Sequence, residues 1–329
     1  MPIENIGSDV YQPSVRAIGR FESFSIGSVV ITYNSRLYIE NCLNSLLLAG
    51  SNVVVVDNGS SDGTPDLVKD KFPSVTVIEN QVNLGYSAAV NLGAAVIKSD
   101  IFVVCNADVV YPNESIRQLT MFMSEHPDVG AAGPQLIFPD GTWQMSYGHT
   151  PGIGETLQRV IGLTSLHHWV RRLCWPRRLD RRPKEVGCVI GAVMAIRRRA
   201  FLSLNGWDED FHFYAEDTDF CMRLRKTGWR VMFVPSIDVV HVGGASSTRV
   251  DTSTLYFRKL VESQLLLLKK SLPRWQMLLC AWLERFNCFQ MLMAWKLAFC
   301  IGPKAMRGYA AARTVAFRHL LKIWAEQSK

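Results

Sequence analysis

The sequence predicts an α/β domain, a mostly parallel sheet flanked by helices, followed by a helical C-terminal region. Between Ser28 and Ile137, strand-length apolar runs rich in Val and Ile alternate with segments of helical periodicity. This alternation is typical of a parallel sheet covered on both faces. Hydrophobic residues make up 48% of the 329, enough for the core of one large domain with an appendage. After about Thr254 the helical pattern is continuous, which predicts a separate extension.

The predicted elements follow one another in a regular order. The first strands are 28–33, 53–57, 75–79, 101–105 and 129–137. The helices between them are 36–48, 64–71, 86–98 and 113–125. The later elements are an excursion from the sheet over 138–186, ordered structure at 187–197, a helix from near Glu216 to Gly228, and short strands at 229–234 and 237–241. We therefore predict a domain over 27–253, between a leader at 1–26 and an extension at 254–329.

Charge is divided unevenly along the chain. Residues 1–150 carry 7 Lys and Arg against 15 Asp and Glu, a net charge of −8. Residues 151–329 carry 29 against 14, a net charge of +15, with Arg pairs between 171 and 182. The second half is therefore expected to meet something anionic, such as nucleic acid, anionic lipid or a phosphorylated substrate. No recognition module for nucleic acid accompanies the arginines, so we do not expect nucleic acid to be a partner.

Cysteine usage predicts a reducing compartment. The eight cysteines form no CxxC pair and most lie in apolar segments, as reduced core thiols of a cytoplasmic protein do. Residues 1–28 contain no long apolar stretch after a basic segment, and we predict no signal peptide there.

The segment 275–300 predicts an amphipathic helix. Gln276, Glu284, Asn287 and Gln290 fall on one face, whereas Trp, Leu, Met and Phe cover the rest. No uncharged apolar run reaches the roughly 18–20 residues needed to span a bilayer. Two interpretations remain: a helix lying in the membrane interface, which the basic flanks favour, and a tail helix packed on the domain.

Polar side chains follow three of the predicted strands. Asp57 ends the second strand and precedes a small, flexible loop, Asn58 to Gly63. Such a carboxylate accepts from a nucleotide base or a ribose hydroxyl while loop amides bind a phosphate, although an ordinary turn has the same composition. Asp108, after the fourth strand, would hold a hard divalent cation on phosphate oxygens. His241 is a candidate further ligand, with a purely structural histidine as the alternative.

Glu216 and Asp217 open a helix just after an aromatic segment, Phe211 to Tyr214. Carboxylates at a helix N-terminus are stabilised by the helix dipole, so a capping role competes with a catalytic one. A base beside aromatic side chains suits a site that binds a sugar ring.

With these segments in this order, the chain resembles the family 2 glycosyltransferases over roughly residues 26–250. The matching segments are Thr32-Tyr33-Asn34, Asp57-Asn58-Gly59-Ser60, Asn83-x-Gly85 with Asn91, Asn106-Ala107-Asp108, Gly206-Trp207-Asp208-Glu209 and Glu216-Asp217. The resemblance implies the GT-A fold, whose sheet is Rossmann-like. Three further segments are similar to bacterial rhamnosyltransferases that act on lipid-linked acceptors: Gly191-Ala192-Val193-Met194, Glu216-Asp217-Thr218-Asp219 and His241 to Ser247.

The resemblance also implies roles for the matched residues. Residues of the donor nucleotide site would be Thr32, Asn34, Asp57, Asn58, Asn83, Gly85 and Asn106. Asp108 would bind Mg²⁺ or Mn²⁺, with His241 as second ligand, and Asp217 would be the general base. Candidates for the acceptor side are Trp207, Tyr214 and Glu216. The family's metal triplet commonly begins with Asp, whereas this one begins with Asn106, so metal binding is either weak or completed by His241.

The function expected from this resemblance is inverting transfer of a hexose, with rhamnose from dTDP-rhamnose the best guess, to a polyprenyl-linked or polysaccharide acceptor. The enzyme would be bound peripherally to the cytoplasmic face of the inner membrane. Two alternatives stay open. A sugar nucleotidyltransferase would need a basic phosphate-binding loop after the first strand, where this chain has Thr32 to Arg36. A non-catalytic membrane-bound scaffold of the same fold is disfavoured by the presence of Asp108, Asp217 and His241.

Overall fold

A computed structural model describes residues 26–112, 114–163, 181–243, 254–301 and 304–327. Its strands are β1 (Ile26–Thr32), β2 (Ser51–Asp57), β3 (Thr76–Glu79), β4 (Ile101–Asn106), β5 (Val109–Val110), β6 (Val129–Ile137), β7 (Tyr147–Gly148), β8 (Lys184–Glu185), β9 (Cys188–Val189), β10 (Val193–Arg197) and β11 (Arg230–His241). Its helices are α1 (Ile39–Leu48), α2 (Thr64–Lys71), α3 (Tyr86–Val96), α4 (Ser115–Glu125), α5 (Ile153–Val160), α6 (Arg198–Ser203), α7 (Glu216–Lys226), α8 (Thr254–Ser271), α9 (Arg274–Ile301) and α10 (Lys304–Gln327).

Within those residues, one large sheet has the order β3-β2-β1-β4-β10-β6-β11-β5, and β8 adds to β11. The strands β3, β2, β1 and β4 are parallel to one another, which confirms a largely parallel sheet in a mixed α/β fold. β10 is antiparallel to both of its neighbours, β4 and β6. The apolar run at 187–197 did not reveal this reversal, because a buried strand reads the same in both directions.

Two predicted elements differ from the structure for local reasons. The strands expected at 229–234 and 237–241 are one strand, β11, whose pairing with β6 shifts register between Val234 and Asp238. Pro235 lies within that shift and has no N–H to donate to a ladder, so the sequence gives the impression of two strands. Part of the excursion expected at 138–186 forms short strands: β7 pairs with β9, and β8 pairs with β11 of the large sheet.

Hydrophobic residues fill both faces of the large sheet. One cluster lies under α1, α2 and α4, and the other lies under α3, α6 and α7. A third cluster joins α8, α9 and α10, so the extension is helical as predicted. No helix among the described residues is long and apolar enough to cross a membrane. The leader, the arginines at 171–178 and the segment 244–247 lie outside the described residues.

Candidate active site

Three polar residues end adjacent parallel strands at one edge of the sheet. Thr32 on β1 lies opposite Asp57 on β2, and Ile31 lies opposite Asn106 on β4. The carboxyl ends of these strands therefore meet in one place, where open α/β sheets bind ligands. Thr32 is 1% exposed, and its hydroxyl is buried without a hydrogen-bond partner. An unsatisfied buried hydroxyl is costly, which marks the end of β1 as a place where a ligand would be stabilised.

Asp57 organises the loop that follows it. Its Oδ2 accepts from the backbone N–H of Gly59 and of Ser60, at 3.1 and 2.8 Å, and its Oδ1 accepts from the Ser60 hydroxyl at 2.5 Å. Burial raises the pKa of Asp57, and these hydrogen bonds oppose that effect by stabilising the carboxylate. The structure thus uses both oxygens to shape the loop.

Asn58 connects that loop to the next one. Its amide nitrogen donates to Asn83 Oδ1 and to the carbonyl of Gly85, at 3.2 and 3.0 Å. Its amide oxygen accepts from Asn80 Nδ2 and from the backbone N–H of Leu84, at 3.0 and 3.2 Å. All four contacts are within the protein, so Asn58 positions the predicted donor residues Asn83 and Gly85.

Asn34 makes the corresponding connection from β1. Its Oδ1 accepts from the backbone N–H of Ser61 at 2.9 Å, and its own N–H donates to Ser60 Oγ at 2.8 Å. Its φ of 51° is left-handed, a conformation that asparagine tolerates better than most residues. The three loops after β1, β2 and β3 are therefore fixed against one another by polar side chains.

Asn106, Asp108 and His241 come together at the ends of β4 and β11. His241 Nε2 lies 3.4 Å from Asp108 Oδ1 and 3.4 Å from Asn106 Nδ2. His241 Nδ1 lies 3.0 Å from Gln144 Oε1, which can only accept. In the tautomer that donates from Nδ1 to Gln144, Nε2 presents its lone pair to Asp108.

This pair fits a divalent cation. Two acceptor atoms 3.4 Å apart repel each other unless a proton or a metal ion lies between them. Gln144 fixes the imidazole from behind, as outer hydrogen bonds do for metal-binding histidines. No cluster of three or more His, Cys, Asp or Glu side chains suited to a metal occurs in the described part of the chain. The protein would thus supply one carboxylate and one imidazole and leave positions for water and phosphate oxygens, which complete divalent-cation sites of substrate phosphates.

Glu216 and Asp217, at the start of α7, have different surroundings. Asp217 Oδ2 accepts from the backbone N–H of Gly191 at 2.8 Å, and its Oδ1 accepts from the N–H and hydroxyl of Thr218, at 2.6 and 3.1 Å. Glu216 Oε2 is buried and has no hydrogen-bond partner. Burial raises the pKa of Asp217, and burial with the neighbouring Asp217 charge raises the pKa of Glu216 to about 8.

The different surroundings of Glu216 and Asp217 favour different protonation states of the two carboxyl groups. Hydrogen bonds to a carboxylate favour its ionised form, and two adjacent buried carboxylates do not both ionise readily. The hydrogen bonds therefore favour the charge on Asp217, and the proton is favoured on Glu216, whose pKa is raised to about 8. An ionised Asp217 is placed to accept a proton, and a neutral Glu216 is placed to donate a hydrogen bond.

The Gly191–Ala192 turn connects Asp217 to Asn106, which lies beside the candidate metal ligands Asp108 and His241. Gly191 donates its N–H to Asp217, and the Ala192 carbonyl accepts from the backbone N–H of Asn106 at 3.1 Å. The Gly191 carbonyl accepts from the Tyr86 hydroxyl at 2.9 Å. The candidate base and the candidate metal ligands therefore lie on either side of one short turn.

Backbone strain precedes the two carboxylates. Tyr214 and Ala215 both have a φ of 69°, in the left-handed region that L-residues rarely occupy. Ala215 is the N-cap of α7, so this strain sets the direction in which Glu216 and Asp217 enter the helix. Strained residues of this kind persist where surrounding contacts hold them, and they cluster at functional sites.

Trp207, predicted on the acceptor side, is a buried residue. It is 2% exposed, and its ring stacks on Phe220 with centroids 5.6 Å apart. Asn91 holds its backbone, accepting from the Trp207 N–H and donating to the Trp207 carbonyl, both at 2.9 Å. The ring fills the core beneath α3 and α7, and its Nε1 is buried without a hydrogen-bond partner, so acceptor binding by Trp207 stays a prediction.

Gln144 and Tyr86 belong to the site but were not predicted from the sequence. Gln144 lies 97 residues from the histidine that it orients, and Tyr86 lies 105 residues from the carbonyl that it binds. A glutamine in a turn and a tyrosine at a helix start carry no local sign of these contacts.

A cavity of about 580 Å³ lies beside Asp108, lined mainly by α1, β5 and the end of β11. It is on the α1 face of the sheet, whereas Glu216 and Asp217 belong to α7 on the other face. The cavity therefore does not include the two carboxylates, and the region between Asp108 and Asp217, at the Gly191–Ala192 turn, is called the cleft below as the candidate reaction site.

Two protein-family models match this chain. The model of the family described as Glycosyl transferase family 2 matches residues 28–204, more than half of the chain. A second model, described as N-terminal domain of galactosyltransferase, matches residues 181–243. The two matches together contain Asp57, Asp108, Asp217 and His241.

Two curated relatives cover most of the chain. An N-acetylglucosaminyl-diphospho-decaprenol L-rhamnosyltransferase of Mycobacterium tuberculosis H37Rv is 33% identical over 251 residues, which is 69% of this chain and 79% of that protein. The dTDP-rhamnosyl transferase RfbF of Shigella flexneri is 24% identical over 232 residues, 69% of this chain and 72% of that one.

A solved structure shares the fold. The mannosyltransferase PcManGT of Pyrobaculum calidifontis, determined with GDP-Man and Mn²⁺, superposes with a TM-score of 0.53 at 19% identity. The superposition covers 92% of this chain and 85% of that protein. At this identity, the likeness establishes the fold alone.

Proposed function

Because the chain belongs to glycosyl transferase family 2 and is a glycosyltransferase, we propose that it transfers rhamnose from dTDP-rhamnose to a polyprenyl-diphosphate-linked saccharide, with inversion at the anomeric carbon. The observation that carries the chemistry is the pair Glu216–Asp217, held beside the metal-binding pair by one turn. The relatives' names support the donor and the acceptor: one acts on a decaprenyl diphosphate sugar, and the other is named for dTDP-rhamnose.

Asp217 would remove the proton of the acceptor hydroxyl as that oxygen attacks the anomeric carbon from the face opposite the leaving nucleoside diphosphate. Its three hydrogen bonds keep it ionised despite burial, and the Gly191 N–H fixes the direction of one oxygen. General-base assistance of this kind typically contributes about 10²–10⁴-fold to a rate. Glu216, neutral near pH 7, would hydrogen-bond the incoming saccharide, and Tyr214 would border the same side.

The donor would lie at the ends of β1, β2 and β4. Thr32 offers its unpaired hydroxyl there, and Asn34, Asn58 and Asp57 hold the loops in which Asn83 and Gly85 lie. Asp108 and His241 would hold Mg²⁺ or Mn²⁺, with Asn106 beside them. When bound, the cation supplies positive charge against the negative charge that develops on the departing diphosphate.

A lipid-linked acceptor places the enzyme at a membrane surface. We propose peripheral attachment to the cytoplasmic face of the inner membrane. The unpaired cysteines among the described residues support the cytoplasmic side, because disulfides are rare there.

The test is transfer of radiolabelled sugar into the lipid fraction of membranes that contain polyprenyl-diphosphate acceptors. The purified chain is given dTDP-rhamnose, UDP-sugars and GDP-mannose separately, each with Mg²⁺, Mn²⁺ or a chelator. We expect label to enter lipid from dTDP-rhamnose alone, to stop with chelator, and to return when metal is restored.

Each other outcome corrects one part of the proposal. Label from a UDP-sugar or GDP-mannose would overturn the donor and leave lipid-linked transfer standing. Transfer unaffected by chelator would overturn the metal assignment. Nucleotide binding without transfer from any donor would reject the lipid-linked acceptor and favour a scaffold of this fold.

A further inference from the structure

Helix α9 presents a long apolar face to solvent. Trp275, Leu278, Trp282, Phe286, Phe289 and Leu297 are all exposed, by 41% to 62%. They recur at spacings of three, four and eight residues, so they form one stripe along the helix. From Trp275 to Leu297 this stripe is about 33 Å long at 1.5 Å per residue. Apolar side chains scattered singly on a surface need no explanation, whereas a contiguous stripe marks an interaction site.

The opposite face of α9 already has its partners. Cys280, Ala281, Cys288 and Leu292 are buried, the first three of them in the cluster shared with α8 and α10. Glu284, predicted on a polar face with Gln276, is instead 8% exposed and pairs with Arg159 of α5 at 3.1 Å. The one acidic residue of α9 is therefore turned inward, and most of the large apolar side chains are turned outward.

Three cations lie along one border of the exposed face. Arg274, Arg285 and Lys296 are spaced by 11 residues, which on an α-helix returns to nearly the same direction, with a drift of about 20°. At 100° per residue their line is about 70° from the centre of the apolar stripe. Arg274 and Lys296 are exposed, and no ion pair involves either of them among the side chains that the structure describes. Residues 254–327 together carry 12 Lys and Arg against 3 Asp and Glu.

The extension is also tied to the acceptor side of the cleft. Lys270, at the end of α8, pairs with Asp208 and with Asp210, the latter at 2.7 Å. Ser263 Oγ donates to the carbonyl of Phe213 at 2.7 Å. Phe213 precedes the strained Tyr214 and Ala215, so the direction of α8 and the position of the two carboxylates are set together.

We propose that the exposed face of α9, from Trp275 to Ile301, lies in the headgroup region of a bilayer that contains anionic lipid, with Arg274, Arg285 and Lys296 on its phosphates. An interfacial helix buries an apolar face at the boundary of headgroups and acyl chains and directs cations to the headgroups. Trp and long basic side chains suit that boundary, because each has an apolar body and a polar end. The proposal rests on the proposed function only in that the acceptor is lipid-linked.

A second copy of the chain is the competing occupant, and the charges disfavour it. A twofold contact through this face would bring the same cation row from each copy towards one apolar surface. No acidic side chain of α9 faces outward to neutralise that row, since Glu284 pairs with Arg159. Anionic lipid supplies the missing negative charge.

The test is co-sedimentation of the full-length chain with vesicles of phosphatidylcholine, with and without phosphatidylglycerol. The variant W282Q/F286Q/F289Q removes three aromatic side chains from the stripe. Its matched control, L92Q/V96Q/L202Q, removes three exposed apolar side chains from α3 and α6. We expect the first to lower vesicle partitioning by about tenfold or more and the control to leave it unchanged.

The cation row is tested separately with R274Q/R285Q/K296Q. Its partitioning to vesicles with phosphatidylglycerol should fall by about fivefold per cation, whereas partitioning to pure phosphatidylcholine should change little. Transfer of sugar to a short-chain, water-soluble acceptor should be unchanged in both triple variants, because none of the substituted residues lies at the cleft.

Two results would overturn the membrane surface: wild-type vesicle binding retained by W282Q/F286Q/F289Q, or a wild-type dimer in analytical ultracentrifugation that this variant dissociates without affecting vesicle binding. Vesicle binding that depends on the stripe, in a protein that transfers no sugar, would support the surface and reject the proposed function. Transfer to the soluble acceptor with no vesicle binding would do the reverse.

Discussion

The two sides of the cleft are built differently. On the donor side, the Thr32 hydroxyl is unpaired, but Asn58 and Asp57 satisfy their polar atoms within the protein and hold the loops to one another. On the acceptor side, Tyr214 and Ala215 are strained, and Glu216 leaves one buried oxygen without a partner. Polar groups that are already paired form a rigid receptor, whereas strain and an unpaired carboxyl group persist only where something holds them. The donor side is therefore preorganised, and the acceptor side is completed by its ligand.

The largest effect expected from this comparison comes from removing the charge of Asp217. We expect D217N to lower kcat by about a thousandfold, because the amide cannot accept the proton of the acceptor hydroxyl. Donor nucleotide binding, measured by calorimetry, should stay near the wild-type value, since the donor loops do not contact this side chain. The exposed Asp70 offers a control as D70N, with unchanged kcat. Loss of donor binding in D217N would place Asp217 on the donor side and reject its role as base.

The next effect concerns the donor side, where one side chain makes four hydrogen bonds. N58A should lower the free energy of unfolding by about 3 kcal/mol, because it leaves the Leu84 N–H and Asn80 Nδ2 without the oxygen that accepts from both. The KM for the donor should rise with it as the loop at 80–85 loosens. N58D keeps the accepting oxygen and should lower the free energy of unfolding less than N58A does. Urea unfolding of both variants therefore measures the contributions of the amide oxygen and the amide nitrogen separately. A change below about 1 kcal/mol in N58A would show that the loops are held by other contacts.

Much of the donor side could be predicted from the sequence, because its signals are local. Helix α2 begins at Thr64 and ends at Lys71 as predicted, with Pro65 in its first turn. Thr32, Asp57 and Asn106 follow apolar runs, and parallel strands bring their carboxyl ends together. The acceptor side depends on distant partners instead. Gly191 lies 26 residues before Asp217, Tyr86 lies 105 residues before the Gly191 carbonyl that it binds, and no periodicity reveals either contact.

A pH effect follows from the unpaired Glu216. Its pKa is raised to about 8 in the folded chain, against 4.5 for an ordinary glutamate. Between these values the folded state binds the proton that the unfolded state has lost. The contribution of protonated Glu216 to the free energy of unfolding therefore falls as pH rises and is lost above about pH 8. E216Q removes this dependence, which amounts to at most about 1.4 kcal/mol per pH unit.

The measurement is the Tm at pH 5, 6, 7, 8 and 9 for wild type, E216Q and the control E125Q, which changes an exposed glutamate. The Tm of E216Q minus the Tm of wild type should increase steadily up to about pH 8 and then stay constant. Parallel curves for the two proteins would mean that Glu216 is ionised in the fold, and the division of roles with Asp217 would fail.

The smallest effect tests the strain itself, at Ala215. Its φ of 69° brings its Cβ close to the backbone, a cost that glycine does not have. A215G should therefore raise the free energy of unfolding by about 0.5–1 kcal/mol, a gain reduced by the greater freedom of glycine in the unfolded chain. The same change inside a helix has the opposite sign: A294G, on the exposed part of α9, should lower the free energy of unfolding by about 1 kcal/mol. Since A215G also frees the entry to α7, kcat should fall while donor KM stays constant, and this separates the acceptor side from the donor side. A215G that is both less stable and fully active would show that the left-handed turn carries no strain and that the two sides of the cleft are equally preorganised.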